Sequence, residues 1–214
     1  MEIRLEVLED PLSQYINELI LIQKELLPDY HWNPANMVNN RFNEKGRLNS
    51  EIIMGFCDNE LAGFIQIYYI YYYNKVFINL DFVAVLPQYR KSGLGLMLLT
   101  SLKNKMEKPV GDHRCIGIIG LAEIENSTDQ FSFKRLFLYS RLGAQIRRDI
   151  VYKTPDYPDA YVIFYPATES FSSITTLSLA WQLWRNSQYS FKVFKNYISS
   201  IDSTYVRSEL IKYN

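Results

Sequence analysis

The sequence predicts an α/β fold in which a mixed sheet is flanked by helices and followed by a C-terminal helical extension. Three observations predict it: alternating apolar residues typical of strands, apolar residues at helical spacing between them, and a change of composition after Pro166. With 214 residues the chain is long enough to bury a sizeable core. We expect one domain over residues 1–165 and an appended segment over 166–214.

The predicted core begins with a strand and a helix and continues as a three-stranded meander. Apolar residues alternate over 3–7, as in a half-buried strand, and recur at helical spacing over 12–27, where Pro28 ends the helix. A polar, Asn-rich stretch over 31–49 follows, with room for one short helix. The remaining predicted strands cover 51–57, 61–73, 76–86, 116–124, 144–152 and 161–165, and the remaining helices 94–106 and 131–142.

The segment after Pro166 is rich in serine and aromatic residues, unlike the core before it. Its apolar residues fall on two helical faces, Ile174, Leu177, Trp181 and Trp184 on the first and Phe194, Tyr197, Ile198, Ile201 and Tyr205 on the second. Aromatic surface of this extent is buried in stable proteins. We therefore expect two amphipathic helices that pack on the core, form a homodimer interface or cover a binding site.

Composition gives no support for several classes of function. The 23 basic residues balance the 23 acidic ones, so net charge gives no support for a nucleic-acid or anionic membrane partner. The N-terminal residues are charged where a signal peptide needs an apolar segment, so we expect no signal peptide, and no run is long and apolar enough to cross a bilayer. Cys57 and Cys115 lie in apolar runs, which predicts buried thiols and no metal site. We expect a cytoplasmic protein.

The most informative segment is LDFVAVLPQYRKSGLGLMLLTSLK, residues 80–103. An apolar strand ends near a proline, and a basic, glycine-rich turn opens directly into an amphipathic helix. Such a turn offers unpaired backbone N–H groups at the positive end of a helix dipole, which suits a phosphate group. Gly93 and Gly95 let the backbone approach a ligand, and Arg90 and Lys91 add positive charge. The alternative is a tight turn with solvated basic residues.

Two segments match signatures of one enzyme family. The run V-x-P-x-x-R-x-x-G-x-G from Val85 to Gly95 is similar to a [Q/R]-x-x-G-x-[G/A] signature, and LFLYSRLGAQ at 136–145 is similar to an L-Y-x-x-x-G signature. In this order and on these elements they resemble the GNAT family of acyl-CoA-dependent N-acyltransferases. The resemblance covers about residues 1–165. It implies a splayed mixed sheet that grips the pantetheine arm of coenzyme A between two diverging strands.

The resemblance implies a set of residues that bind acetyl-CoA. The backbone of Val83, Ala84 and Val85 would hydrogen-bond the pantetheine arm and polarise the thioester carbonyl. Asn126 would contact the pantetheine amide, because Ser132 and Arg135 stand where the family often has an asparagine and a small residue. The residues expected at the pyrophosphate are Arg90, Lys91, Ser92, Gly93, Leu94, Gly95 and Leu96.

The resemblance also implies a general acid. Tyr139 matches the family's tyrosine near the sulfur of coenzyme A, and a phenol of pKa near 10 suits protonation of a thiolate. The alternative is that Tyr139 only packs, or fixes the sulfur by a hydrogen bond.

For the general base, related enzymes often use a carboxylate or histidine on the strand before the glycine loop. Counting back from Val85 in steps of two places Asn79 and Asp81 on the same face, and Asp81 is the carboxylate there. Asp81 is therefore our candidate base, acting through water, with a structural carboxylate as the alternative. His31 and His113 fall on predicted loops without a second metal ligand nearby.

These observations predict an N-acetyltransferase that moves an acetyl group from acetyl-CoA to a primary amine by direct attack in a ternary complex. A longer acyl donor, or a catalytically silent module that binds coenzyme A or a partner, are the alternatives. The acceptor amine would be selected by the first helices, the stretch 31–49 and the tyrosines of 68–73. Those tyrosines line an amine pocket or simply pack both faces of a strand.

Overall fold

The computed structural model describes residues 1–26, 33–42, 46–72, 74–123, 130–154 and 157–166. The strands are β1 Ile3–Val7, β2 Ser50–Cys57, β3 Glu60–Tyr72, β4 Lys75–Val85, β5 Arg114–Glu123, β6 Gln145–Thr154 and β7 Tyr157–Pro166. The helices of the described residues are α1 Tyr15–Leu26, α2 Pro34–Asn39, α3 Leu94–Met106 and α4 Gln130–Arg141. The strands form one mixed seven-stranded sheet in the order β1-β2-β3-β4-β5-β7-β6. This sheet and its flanking helices confirm the predicted α/β fold.

The described residues divide into two compact units, the first ending at Ile118 and the second beginning at Ile119. In the first unit β1 to β4 pair antiparallel in sequence order, as the predicted meander requires. In the second unit β6 and β7 pair antiparallel, and Gly143, with φ of 90°, follows the end of α4 as a left-handed residue.

The two faces of the meander bury different helices. On one face, Phe64 and Ala84 join a core cluster with α1, through Leu19 and Ile22, and with α2, through Met37. On the other face α3 packs so closely on β2 that a Cβ added to Gly55 would lie 2.6 Å from Leu94 Cδ1. Helix α3 therefore begins directly against the backbone of Gly55, and this close contact fixes the position of its N-terminal turn.

A β-bulge in β4 corrects one prediction. Gln66 pairs with Phe82, but the next β3 residue, Ile67, pairs with Leu80, so Asp81 is an extra residue in β4. The bulge shifts the alternation by one position. The sequence predicted Asn79 on the face of Val85, and this prediction is wrong. Asn79 lies opposite Tyr68, on the face of Gln66 and Phe82.

Most element bounds agree with the sequence patterns to within a few residues, and α3 spans the predicted 94–106. The polar stretch contains α2, whose N-cap Asn33 accepts a hydrogen bond from the Asn36 N–H. Cys57 and Cys115 are both buried, as predicted. The predicted helices of the C-terminal extension lie outside the described residues.

Candidate functional site

The glycine-rich turn between β4 and α3 has an unusual backbone. Pro87–Tyr89 form a single 3-10 turn, and then Lys91, with φ of 70°, and Gly93, with φ of 95°, both adopt the left-handed region. A glycine takes this conformation without steric cost, whereas Lys91 takes it under strain. Backbone that alternates into the left-handed region can turn neighbouring N–H groups toward one concave side, which suits an anion.

The N-terminus of α3 has no side-chain cap, because its N-cap residue is Gly93. The Ser92 Oγ accepts from the Leu94 N–H at 3.1 Å. Among the described residues the N–H groups of Gly95 and Leu96 have no acceptor. These N–H groups lie at the positive end of the helix dipole, so they can bind a phosphate oxygen.

The position of Gly95 in this protein has room for a side chain. A Cβ at this position would lie 3.7 Å from Val85 Cγ2, an ordinary contact distance, so packing within the protein does not require glycine here. A glycine at this position instead allows the backbone and a ligand to approach each other closely.

A buried ion-pair network anchors the opposite end of α3. Glu51 on β2 is 5% exposed. Its carboxylate accepts from Lys105 Nζ at 2.8 Å, from Arg41 Nη2 at 3.1 Å and from the Tyr69 hydroxyl. Burial alone would raise the pKa of Glu51, but the hydrogen bonds from Lys105 and Tyr69 and the charges of Lys105 and Arg41 lower it below its ordinary value. Because Gly55 and Glu51 lie on the same face of β2, one strand holds both ends of α3.

The end of β4, where Val83, Ala84 and Val85 lie, depends on a second glycine. Gly63 pairs with Val85, and a Cβ at Gly63 would lie only 2.4 Å from the Ala84 carbonyl oxygen. Arg90 folds back on the same segment, and its Nε donates to the Val85 carbonyl at 3.3 Å. In this structure Arg90 thus supports the turn by a backbone contact, in addition to the charge that the sequence led us to expect at the phosphates.

Asp81 lies at the bulge of β4, with its side chain exposed. Its Oδ2 accepts a hydrogen bond from Gln66 Nε2 at 2.8 Å, and the same nitrogen lies 3.0 Å from the Tyr68 hydroxyl. Burial and the charge of Asp81 raise the pKa of Tyr68 to about 12. Sequence reasoning named Asp81 but missed Gln66, because a glutamine in an apolar strand carries no signal until its cross-strand neighbours are known.

Two neighbouring tyrosines of β3, Tyr69 and Tyr71, are structural anchors. The Tyr69 hydroxyl donates to the buried Glu51, and the Tyr71 hydroxyl donates to the Leu48 carbonyl at 2.7 Å. The Tyr71 ring also meets His113 edge-on, at 4.8 Å between centroids. Tyr68 instead contacts Gln66, which hydrogen-bonds Asp81.

A cleft of about 470 Å³ lies beside the glycine-rich turn, on the side of α1. It is lined by Gln14, Tyr15, Glu18, Asn59, Glu60, Leu61, Leu86, Gln88 and Tyr89. None of the predicted catalytic or cofactor-binding residues lines this cleft, although Gln88 and Tyr89 directly precede the turn.

The predicted acid, Tyr139, lies on α4 in the second unit and is 7% exposed. Its backbone carbonyl accepts from the Tyr165 hydroxyl at 3.3 Å. Burial, and secondarily the interaction with Tyr139, raises the pKa of Tyr165, so that hydroxyl stays protonated. Asn126 and His31 lie outside the described residues. Within the described part of the chain no group of three or more His, Cys, Asp or Glu side chains is arranged to hold a metal ion.

Of the helices in the described residues, none combines the length and apolar character needed to cross a membrane.

Solved structures with this fold include several acetyltransferases. Arabidopsis thaliana Naa50, in complex with the bisubstrate analogue CoA-Ac-MVNAL, is 16% identical with a TM-score of 0.55, over 80% of this chain and 100% of that one. Escherichia coli ribosomal-protein-S18-alanine N-acetyltransferase is 18% identical with a TM-score of 0.51, over 80% and 98% of the two chains. An aminoglycoside 6'-N-acetyltransferase complexed with coenzyme A is 15% identical with a TM-score of 0.56, over 79% and 99%. At these identities the likeness shows the fold.

No curated protein matches the chain in sequence. A sequence model of the acetyltransferase (GNAT) family matches residues 16–130, which is more than half of the chain and includes the whole glycine-rich turn. The chain therefore belongs to the acetyltransferase (GNAT) family of enzymes.

Proposed function

We propose that the protein transfers an acetyl group from acetyl-CoA to a primary amine of a small molecule or peptide, by direct attack in a ternary complex. The observation that carries the proposal is the uncapped N-terminus of α3 behind the left-handed Gly93. Exposed N–H groups at the positive end of a helix fit the pyrophosphate of acetyl-CoA. The solved structures with bound coenzyme A or a CoA-peptide analogue support this choice of donor.

In the proposed site the donor lies along the end of β4 and the turn that follows. The backbone of Val83, Ala84 and Val85 holds the pantetheine arm, and the amides from Lys91 through Leu96 hold the pyrophosphate. Asn126 contributes a contact to the pantetheine amide. These assignments follow the family resemblance, and the N–H groups of Gly95 and Leu96, which have no acceptor among the described residues, support them.

The proposed chemistry needs one proton removed and one supplied. As the amine nitrogen bonds to the acetyl carbon, the carbon–sulfur bond breaks and the departing thiolate takes a proton. Asp81 accepts the proton of the amine, through water, and Tyr139 supplies the proton to the thiolate. The hydrogen-bonded position of Asp81 at the bulge, with its side chain exposed, supports the role of base.

A binding and turnover panel tests the proposal. Calorimetry with acetyl-CoA and decanoyl-CoA measures donor choice, and coenzyme A release is followed with the free peptide MVNAL, kanamycin, spermidine and lysine as acceptors. We expect acetyl-CoA to bind more tightly and at least one amine to accelerate release. Preference for decanoyl-CoA indicates a longer acyl donor. Tight acetyl-CoA binding with no release for any amine contradicts the enzymatic proposal.

We further propose that residues 1–165 are the acetyltransferase domain and 166–214 a C-terminal extension, in a cytoplasmic protein. About four-fifths of this chain covers the whole length of Naa50, which supports a domain that ends well before Asn214. The aromatic content of the extension favours a packed segment or a homodimer interface. We expect deletion of 168–214 to give insoluble or strongly destabilised protein. A soluble truncated monomer with wild-type melting behaviour contradicts this, and light scattering of the full chain tests the dimer.

A further inference from the structure

The strongest unassigned feature of the molecule is the side chain of Gln66. It lies on β3 and is 0% exposed, opposite Phe82, whose ring borders the core cluster beneath α1 and α2. A glutamine at such a position is unusual, because a buried polar group loses its contacts with water and needs hydrogen-bond partners in return.

The orientation of the Gln66 amide is determined by its neighbour. An ionised carboxylate only accepts hydrogen bonds, so the amide nitrogen faces Asp81 Oδ2, at 2.8 Å. The Tyr68 hydroxyl, 3.0 Å from that nitrogen, accepts the second N–H. Among the described residues Gln66 Oε1 is buried without a hydrogen-bond partner.

Packing does not account for this arrangement. A methionine would fill about the same volume in the same strand and would leave no buried acceptor unpaired. Gln66 therefore leaves one buried acceptor unpaired among the described residues while it donates two hydrogen bonds. Both go to groups at the point where β4 bulges, and one of them is the exposed carboxylate of Asp81.

The bulge explains why Gln66 and Asp81 meet. If β4 alternated regularly, the side chain of Asp81 would project from one face of the sheet and those of Phe82 and Gln66 from the other. The extra residue in β4 places its carboxylate within reach of a side chain that projects from the face of Phe82. Because Gln66 is neutral and the phenol of Tyr68 stays protonated in the ordinary pH range, the Asp81 carboxylate is the charged member of the three.

We propose that Gln66 is a positioning residue for acyl transfer, which holds the Asp81 carboxylate in one orientation toward the acceptor amine. This inference rests on the proposed function, in which Asp81 is the base. Gln66 does not touch the substrate. Its hydrogen bond restricts the rotation of the Asp81 side chain, and its second hydrogen bond, to Tyr68, holds the amide itself in place.

The substitution Gln66→Met tests this role. It keeps the volume and removes both donors and the unpaired acceptor. We expect kcat with the best amine of the acceptor panel to fall by about ten- to a hundredfold, with the Kd for acetyl-CoA unchanged and Tm unchanged or higher. The matched control Ile67→Met, at the neighbouring buried position on the opposite face of β3, should leave kcat unchanged. A lower Tm together with unchanged kcat overturns the proposal.

A double-mutant cycle with Asp81→Asn separates positioning from a general structural effect. If Gln66 acts through Asp81, Gln66→Met causes little further loss of kcat in the Asp81→Asn background, whereas independent effects multiply. Multiplying losses overturn the proposal. Loss of kcat in Asp81→Asn but not in Gln66→Met leaves the proposed function standing and overturns this inference alone.

An NMR measurement tests the contact without turnover. In uniformly ¹⁵N-labelled protein, the Gln66 side-chain NH₂ signals are assigned by their disappearance in Gln66→Met. We expect these signals to shift in Asp81→Asn, because the substitution replaces a charged acceptor by a neutral one. Signals that do not move overturn the inference, even if the acceptor panel yields no substrate.

Discussion

Lys105 Nζ lies 2.8 Å from Glu51 Oε2, which ties the last turn of α3 to the first residues of β2. At the other end of the same helix, Leu94 packs on the bare backbone of Gly55. Since both contacts are made by β2, the strand sets the direction in which the N-terminus of α3 points. The proposed pyrophosphate site therefore depends on residues that never touch the ligand.

The buried carboxylate of Glu51 leads to a prediction of how the stability of the protein depends on pH. The pKa of Glu51 is lowered below 4.5 in the folded protein, so its contribution is present at neutral pH and is lost as acid protonates it. We expect Glu51→Gln to reduce the free energy of unfolding by about 3 kcal/mol at pH 7, and by much less at pH 3. Urea unfolding of both proteins at pH 7 and pH 3 measures this difference in the free energy of unfolding. The control Glu9→Gln removes an exposed partner of Arg41 and should cost less than about 1 kcal/mol; equal losses for the two variants contradict the prediction.

Gly63 gives a prediction for the end of β4. A methyl group there would lie 2.4 Å from the Ala84 carbonyl oxygen, so β4 must shift to admit it. We expect Gly63→Ala to reduce the free energy of unfolding by about 1–3 kcal/mol and to weaken acetyl-CoA binding about tenfold. Thermal melting and calorimetry measure the two effects. Gly111→Ala, which strains a left-handed residue in open space, should leave acetyl-CoA affinity unchanged; a similar loss of affinity there points to a general effect of destabilisation.

Gly95 tests the pyrophosphate site. We expect Gly95→Asp to fold normally, because a Cβ there would make only an ordinary contact with Val85 and an acidic residue in the first turn is stabilised by the helix dipole. Its charge would repel the pyrophosphate, so calorimetry should show acetyl-CoA affinity lowered at least about a hundredfold. Gly95→Asn, of equal size and no charge, should lose less. Near wild-type affinity for Gly95→Asp would show that the turn does not bind the phosphates.

Tyr139 tests the proposed acid. We expect Tyr139→Phe to lower turnover by roughly ten- to a thousandfold, with little change in acetyl-CoA affinity, because only the proton donor is removed. Steady-state kinetics across pH and calorimetry give the two quantities. Tyr165→Phe removes another buried hydroxyl of the same unit and should change Tm but not turnover. An unchanged rate for Tyr139→Phe at every pH would reduce Tyr139 to a packing role.

Asp81 tests the proposed base. In Asp81→Asn we expect the rate to fall most at low pH, where the acceptor amine is largely protonated and most needs a base. The pH dependence of kcat/KM measures this. Asp112→Asn, at an exposed turn before β5, should keep the wild-type profile. A profile for Asp81→Asn that is merely scaled down at all pH values argues against the base role.

The sequence by itself determined the order of the elements and the place of the glycine-rich turn. Helix α3 begins at Leu94 and ends at Met106 as its apolar spacing predicts, and the strand Ile3–Val7 follows its alternation. Both signals are local, because each depends on residues a few positions apart. They can therefore be recognised without knowledge of the partner strands. The family signature around Gly93 is local in the same sense.

Only the tertiary structure decided which face Asp81 and Asn79 occupy and what holds them. A strand repeats every two residues, so a single extra residue at Asp81 reverses every position counted across it, and only the pairing with β3 reveals it. The contacts Gln66–Asp81 and Glu51–Lys105 join residues far apart in the chain. Their partners depend on the register of β3 against β4 and the docking of α3 on β2, which no local pattern encodes.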